Sequence, residues 1–278
     1  MAQTGISSTR IAFIGAGNMA SSLIGGLIAK GVPASLITAS DPYESCLEKV
    51  ATRYGVHTSP HNEAAIERAE VVVLAVKPQV MKEVATRLAP ALKKDTLVIS
   101  IAAGISLDSL QRWLGEKTAI VRCMPNTPAL MQLGATGLFA NHSVNGQQKN
   151  LAKQILDAVG ISLWLNSEKE IDAVTALSGS GPAYYFLLME AMIKAGIAQG
   201  LSPETAKQLT LQTALGAATM AAHSSDEPAE LRRKVTSPNG TTEQAIKSFQ
   251  GNRFEEVVRE ALDAAAKRSV SLAEELGK

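Results

Sequence analysis

The first 122 residues alternate between short apolar runs and segments with helical patterning, and this alternation limits the possible folds more than any other feature of the chain. The runs are Ile11-Ala12-Phe13-Ile14, Leu36-Ile37-Thr38-Ala39, Val71-Val72-Val73-Leu74-Ala75, Leu97-Val98-Ile99-Ser100 and Ala119-Ile120-Val121-Arg122. They are largely apolar along their length, without in/out alternation, as strands covered on both faces are. Between them lie helix-like segments at 18–30, 44–54, 80–92 and 107–114. Such repetition predicts an α/β fold, a doubly wound parallel sheet with right-handed crossovers. A further strand–helix–strand group is expected from Ala135, through a helix around Leu151 to Val159, and on to Ile161–Leu165.

The first run leads directly into Gly15-Ala16-Gly17-Asn18-Met19-Ala20, a G-x-G-x-x-A turn between a buried strand and an amphipathic helix. In such a motif Gly15 permits the tight turn and Gly17 lets backbone approach a pyrophosphate. Ala20 is small enough for close helix–sheet packing. The free N–H groups of the helix start attract an anion. The motif alone is common, but its place at the head of an alternating β/α half makes it specific. Asp41 ends the second run about 26 residues past Gly15, where a ribose-binding acid is expected. It is equally placed to cap the helix that follows, with its side chain turned away from a cofactor. The choice between NAD and NADP therefore stays open at this point.

Other segments fall at the carboxyl ends of strands, where ligands of open α/β sheets bind. Ala75-Val76-Lys77-Pro78 forms one such loop, in which Lys77 is either a phosphate contact or a solvated turn charge. Ile101-Ala102-Ala103-Gly104 lacks bulk, as a loop lying under a ribose and nicotinamide would. Cys123-Met124-Pro125-Asn126-Thr127-Pro128 holds Asn126 between two prolines, either to orient a carboxamide or as a stiff connector.

Past Ser167 the strand signal fades. Ser167-Glu168-Lys169-Glu170 has a capping-box pattern, Gly181-Pro182 opens a helix, Gly200 closes it, Ser202-Pro203 opens the next, and a last helix is expected over 254–276. The domain division is accordingly 1–166, dinucleotide-binding, and 167–278, helical. The helix from Ala183 to Gln199 is apolar on most of its surface, so it needs cover on all sides. Either the first domain or a second subunit supplies that cover. A helical domain of about 110 residues has little material of its own to do so, and the burial argument favours a dimer or higher oligomer. The same helix is too short for a membrane span, and Glu190 and Lys194 interrupt it.

Composition narrows the classes further. With 46% apolar and 19% charged residues among 278, two packed domains are feasible, and a net charge of +1 gives no reason to expect nucleic acid or an anionic membrane as partner. Cys46 and Cys123 form no CxxC pair and no His cluster accompanies them, so neither a disulfide framework nor a metal site is expected. Met1–Arg10 is polar, without the apolar core of a signal peptide. A cytoplasmic protein is the expectation.

Two polar segments of the second half point to a small-molecule site. Leu177-Ser178-Gly179-Ser180-Gly181-Pro182-Ala183-Tyr184 is rich in small residues at a helix start. Val235-Thr236-Ser237-Pro238-Asn239-Gly240-Thr241-Thr242-Glu243 combines a positive-φ turn at Asn239-Gly240 with two hydroxyls at the start of a helix. Successive N–H groups there form an anion-binding nest suited to a carboxylate.

Taken with Gly15–Met19, Ala75–Pro78, Ile101–Gly104 and Met124-Pro125-Asn126, these segments resemble pyrroline-5-carboxylate reductase, in that family's order and over nearly the whole chain. Ser237–Thr242 is the most specific part. The resemblance implies NAD(P)H-dependent reduction of 1-pyrroline-5-carboxylate to L-proline, the final step of proline synthesis. It also implies an N-terminal Rossmann domain and an all-helical dimerisation domain interlocked between two subunits, with dimers assembling further, up to a decamer. By the same resemblance Gly15, Ala16, Gly17, Asn18 and Met19 hold the cofactor, with Ser40 and Asn62 on its adenosine side. Ala75, Val76, Lys77, Pro78, Ile101, Ala102 and Ala103 line the rest of its site. Ser180, Gly240, Thr241 and Thr242 bind substrate, and Thr242 Oγ contacts the ring nitrogen as the catalytic residue. NADPH is the family's usual cofactor. Two departures stand out: Asn239 occupies a common glycine position, and Asp41 lies where NADPH-preferring members more often carry a neutral residue, which keeps NADH open.

Two other readings compete. A hydroxy-acid dehydrogenase needs a positioned Lys or His; Lys194 and Lys234 are the second-domain candidates, and His57, His61, His142 and His223 are scattered. A non-catalytic NADP-binding regulator would keep the fold without the chemistry.

Overall fold

The computed structural model describes residues 5–278. One compact unit runs to Ser180 and also takes in Ala264–Lys278; the other is Gly181–Asp263. Residues 167–180, assigned from sequence to the helical half, thus pack with the sheet, as does the end of the last helix.

The first unit is built on an eight-stranded sheet ordered β3-β2-β1-β4-β5-β6-β7-β8. Its strands are β1 (Ile11–Ile14), β2 (Ile37–Ser40), β3 (His57–Ser59), β4 (Val71–Leu74), β5 (Leu97–Ser100), β6 (Ala119–Met124), β7 (Gly134–Ala140) and β8 (Gly160–Trp164). The helices between them are α1 (Asn18–Ala29), α2 (Glu44–Tyr54), α3 (Asn62–Ile66), α4 (Pro78–Leu88), α5 (Leu107–Leu114), α6 (Gly146–Leu156) and α7 (Glu170–Val174). Every neighbouring pair is parallel except β6 and β7. That reversal follows from the connection, a 3₁₀ turn at Thr127–Met131 where the other links have a crossover helix.

Period-two alternation sorts the strand residues onto two cores. Ile11, Phe13, Val71, Val73, Leu97, Ile99 and Val121 face α1, α2 and α6. Ala12, Ile14, Val72, Leu74, Val98 and Ile120 face α3, α4 and α5. Both cores are closed, which is why these runs are apolar throughout. β3 and α3 lay outside the sequence expectation. β3 is an edge strand of polar, largely exposed residues, and α3 has only five residues.

Ser167 and Glu170 do meet, but as hydroxyl donor and carboxylate acceptor at 3.2 Å; the N-cap of α7 is Lys169, so no capping box forms there. A complete capping box is found instead at Asn145 and Gln148, opening α6.

The second unit contains α8 (Gly181–Ala198), α9 (Pro203–His223), α10 (Pro228–Lys234), α11 (Thr241–Gly251) and the first part of α12 (Phe254–Leu276). Ser202 caps α9 by accepting from the Thr205 N–H. Only Gly181 of α8 is buried, and Tyr185, Phe186 and Leu187 are each about two-thirds exposed. Leu209, Leu215 and Met220 of α9, with Val257 of α12, add to this apolar surface. The predicted need of the 183–199 helix for cover is therefore not met among the described residues. Among the described residues no helix is long and apolar enough to cross a membrane.

Candidate cofactor and substrate site

In the first unit the loops singled out from sequence converge at the carboxyl edge of β1, β2, β4 and β5. Gly15 donates its N–H to Ser40 O at 2.7 Å, Ala75 N–H donates to Ile14 O at 2.8 Å, and Ile101 N–H donates to Leu74 O at 3.1 Å. The three loops are thus fixed side by side by backbone alone. Gly15 has φ +99°, and a Cβ on it would lie 2.6 Å from Ala75 O. Gly17 differs: its backbone is extended and a Cβ there would meet nothing within 4 Å. The space above Gly17, in front of the unsatisfied N–H groups that open α1, is a cradle that a side chain would fill. Gly17 and Asn18 are exposed while Gly15, Ala16 and Ala20 are buried. This arrangement fits a dinucleotide pyrophosphate.

Ser40 is wholly buried and donates its hydroxyl to Asn62 Oδ1 at 2.7 Å, joining the end of β2 to the start of α3. Lys77 is the exposed N-cap residue of α4, and Pro78 is the first helical residue, where its missing N–H costs nothing. Val76 and Ala103 are half-buried and Ala102 is buried, so this loop presents a shallow apolar surface. Asp41 is not the helix cap that one sequence reading expected. Its carboxylate accepts from Ala16 N–H and from Tyr43 N–H, each at 2.9 Å, and the N-cap of α2 is Tyr43.

Asn126 turns out to be a connector. Its Nδ2 donates to Ser178 O at 3.0 Å and its Oδ1 accepts from Ala135 N–H at 2.9 Å. Because one partner only accepts and the other only donates, the amide has a single workable orientation. It ties the β6–β7 link to the π-helical turn Thr175–Gly179, which ends at Ser180. Gly179 lies against the Met124 side chain, where a Cβ would be 2.6 Å from its terminal methyl. Ser180 N–H closes the turn on Thr175 O at 2.8 Å. Asn126→Ala is expected to cost about 2 kcal/mol by orphaning two part-buried backbone groups. Urea unfolding would measure this, and a change below about 0.5 kcal/mol would contradict the connector role. Cys123, next to this link, is fully buried, and burial pushes its thiol up, away from the thiolate a nucleophile requires.

In the second unit, Asn239 adopts φ +60° and Gly240 is the N-cap of α11 with no side-chain cap bond. Asn239 N–H donates to Glu243 Oε2 at 3.0 Å. That backbone bond, and then the Lys247 ammonium, hold the Glu243 carboxyl below the usual carboxylate range. Glu243 thus locks the turn and leaves Thr241 and Thr242 exposed at the helix start, their hydroxyls without partners among the described residues. The lysines of the hydroxy-acid reading are committed elsewhere: Lys194 pairs with Glu190 at 2.6 Å and Lys234 with Asp226 at 2.5 Å. Hydrogen bonding to Asp226 raises the Lys234 pKa further, away from what a general acid near neutrality needs. Among the described residues no group of three or more His, Cys, Asp or Glu is placed to hold a metal.

A mainly parallel sheet with a G-x-G-x-x-A turn at its carboxyl edge, continued by a helical unit, defines the class of dinucleotide-binding Rossmann proteins with a helical C-terminal part. Residues 10–104 match the family model described as NADP oxidoreductase coenzyme F420-dependent, and residues 168–272 match pyrroline-5-carboxylate reductase dimerisation. The chain is 62% identical over 272 residues to the pyrroline-5-carboxylate reductase of Pseudomonas aeruginosa, covering 98% of this chain and 100% of that protein. The solved pyrroline-5-carboxylate reductase of Coxiella burnetii superposes with a TM-score of 0.92 at 46% identity, over 95% of this chain and 98% of that one. The Plasmodium falciparum pyrroline carboxylate reductase, solved with NADP bound, has a TM-score of 0.86 at 31% identity, over 97% and 100% of the two chains. The chain belongs to the pyrroline-5-carboxylate reductase family.

Proposed function

We propose that this chain is an oxidoreductase that reduces the C=N bond of 1-pyrroline-5-carboxylate to give L-proline, the last step of proline biosynthesis, using NADPH, with NADH as a second cofactor. The observation that carries the reading is the open cradle above Gly17 at the carboxyl edge of the sheet, in a chain 62% identical over 272 residues to a reductase of this name.

When bound, the nicotinamide supplies a hydride to the imine carbon. The protein's work is to bind, orient and keep a proton on the ring nitrogen. Gly17, Asn18 and Met19 hold the pyrophosphate on the turn that Gly15 and Ala16 form, and Ser40 with Asn62 holds the adenosine side. Ala75, Val76, Lys77, Pro78, Ile101, Ala102 and Ala103 line the remainder. The N–H groups of Thr241 and Thr242, which follow the Gly240 cap, bind the substrate carboxylate, Ser180 contributes a hydroxyl, and Thr242 Oγ hydrogen-bonds the ring nitrogen. A protonated imine accepts the hydride at carbon, its π pair moves to nitrogen, and the product is a secondary amine. No buried acid is required. Residues 1–166 carry the cofactor, and residues 167–278 carry substrate and dimerisation.

The chain acts as a homodimer, and dimers assemble further, up to a decamer; the exposed apolar faces of α8 and α9 support self-association. It works in the cytoplasm, consistent with two free cysteines, with neither nucleic acid nor membrane as partner.

The test is NADPH and NADH oxidation with and without 1-pyrroline-5-carboxylate, with proline identified as product. Cofactor binding without imine-dependent oxidation would leave a non-catalytic binding protein. Thr242→Ala is expected to lower kcat/KM about 100-fold with unchanged NADPH affinity. Unchanged turnover and KM would remove Thr242 from the mechanism.

A further inference from the structure

Asp41 is 8% exposed, and each oxygen of its carboxylate accepts a backbone N–H. Oδ2 accepts from Ala16 N–H, inside the glycine turn and 25 residues earlier in the chain, and Oδ1 accepts from Tyr43 N–H. A ribose-binding acid at this position would direct its oxygens outward, toward two sugar hydroxyls. Here they are directed back into the protein.

The Ala16 peptide lies between the two glycines. Gly15 N–H is held by Ser40 O at 2.7 Å and Ala16 N–H by Asp41 Oδ2 at 2.9 Å, so two successive peptides of the turn are pinned to two successive residues at the end of β2. With both pinned, the next N–H groups, at Gly17 and the start of α1, are the ones left to face a phosphate. A turn fixed beforehand does not have to be ordered by its ligand, and preorganisation of that kind raises affinity.

We propose that Asp41 is a positioning residue for the pyrophosphate turn and not the ribose ligand that sets cofactor preference. The inference rests on the nicotinamide-dinucleotide reading of this site. It has a direct consequence: the pyrophosphate is common to NADPH and NADH, so Asp41 acts on both alike. The preference between them is set elsewhere, with the Ser40–Asn62 pair a polar group at the end of β2.

The experiment is direct titration of the purified full chain with NADPH and with NADH, followed by nucleotide fluorescence, for the wild type, Asp41→Ala and Asp41→Asn. Titrations are run well below each protein's own melting temperature. Losing two charge-assisted bonds to backbone is expected to weaken binding of both nucleotides about 10-fold in Asp41→Ala. The ratio of the two affinities should stay within about two-fold of the wild type, since the lost contact lies on the shared pyrophosphate side. Asp41→Asn keeps one acceptor oxygen, so it should fall between wild type and alanine with the same ratio, and it decides the matter if the alanine variant does not fold. Weakening confined to NADH, with NADPH affinity kept or raised, would overturn the proposal and make Asp41 a ribose ligand. Unchanged affinity for both would overturn it too. If the wild-type chain binds neither nucleotide, the reading of the whole site falls and this inference with it, an outcome distinct from the other two.

Discussion

Gly15→Ala is expected to abolish measurable nucleotide binding and to lower stability by roughly 3 kcal/mol or more. Two costs combine. The backbone at Gly15 has φ +99°, a conformation L residues rarely adopt. The new Cβ would also sit 2.6 Å from Ala75 O and 2.8 Å from Ala75 C, and both belong to backbone continuous with a buried central strand. Relief requires β1 and β4 to part at their carboxyl ends, where Ala75 N–H bonds Ile14 O, and that movement would displace the turn that leads to the Gly17 cradle. Gly17→Ala is the control. Its φ is −71° and its Cβ would meet nothing within 4 Å, so the melting temperature should hold while binding falls. Scanning calorimetry with nucleotide titration separates the two. A Gly15→Ala protein that binds NADPH within about three-fold of the wild type would show that the turn is not the phosphate site.

The second large effect is expected at Glu168. Arg122 on β6 is 4% exposed, donates from Nη1 to Glu168 Oε1 at 2.6 Å, and has its Nε buried without a partner among the described residues. The same Glu168 oxygen accepts from Leu107 N–H at 2.7 Å, at the start of α5. One carboxylate oxygen therefore neutralises a buried guanidinium and satisfies a helix-end donor. Glu168→Ala strips both and leaves Arg122 charged in the core, at an expected cost of about 3 kcal/mol. For a unit of this size that lowers the melting temperature by roughly 6–12 °C. Removing both partners, as Arg122→Met with Glu168→Gln, should recover most of the loss, because the cost lies in the uncompensated charge. Denaturant unfolding of both proteins checks this. A Glu168→Ala variant within about 0.5 kcal/mol of the wild type, or a double variant as unstable as the single, would refute the account.

What could be read from the chain followed burial. β1 and β5, with α2, α5 and α12, run between the residues expected for them, because two-sided burial writes a continuous apolar run and helix ends carry their own signals. β3 and α3 were missed because a polar edge strand and a five-residue helix write almost no pattern. The cofactor-side loops were legible as short backbone motifs, which need particular small residues whatever surrounds them. Polar side chains were not legible in the same way. Asp41, Asn126 and the Ser167–Glu170 pair each allowed several partners, and each took one that lies beyond its local pattern or forms a different bond from the expected one.

The sequence by itself determined the doubly wound sheet, the glycine turn, the all-helical second half and the demand of α8 for cover, since periodicity and glycine placement are local properties fixed by sterics and solvent. Only the tertiary structure decided that residues 167–180 and the end of α12 pack with the sheet-bearing unit, that Asn126 braces the π-helical turn, and that the Asp41 carboxylate turns inward to the glycine turn. A hydrogen-bonding group has no preferred partner until folding has removed water and brought a specific donor within about 3 Å, and which donor that is depends on the whole chain.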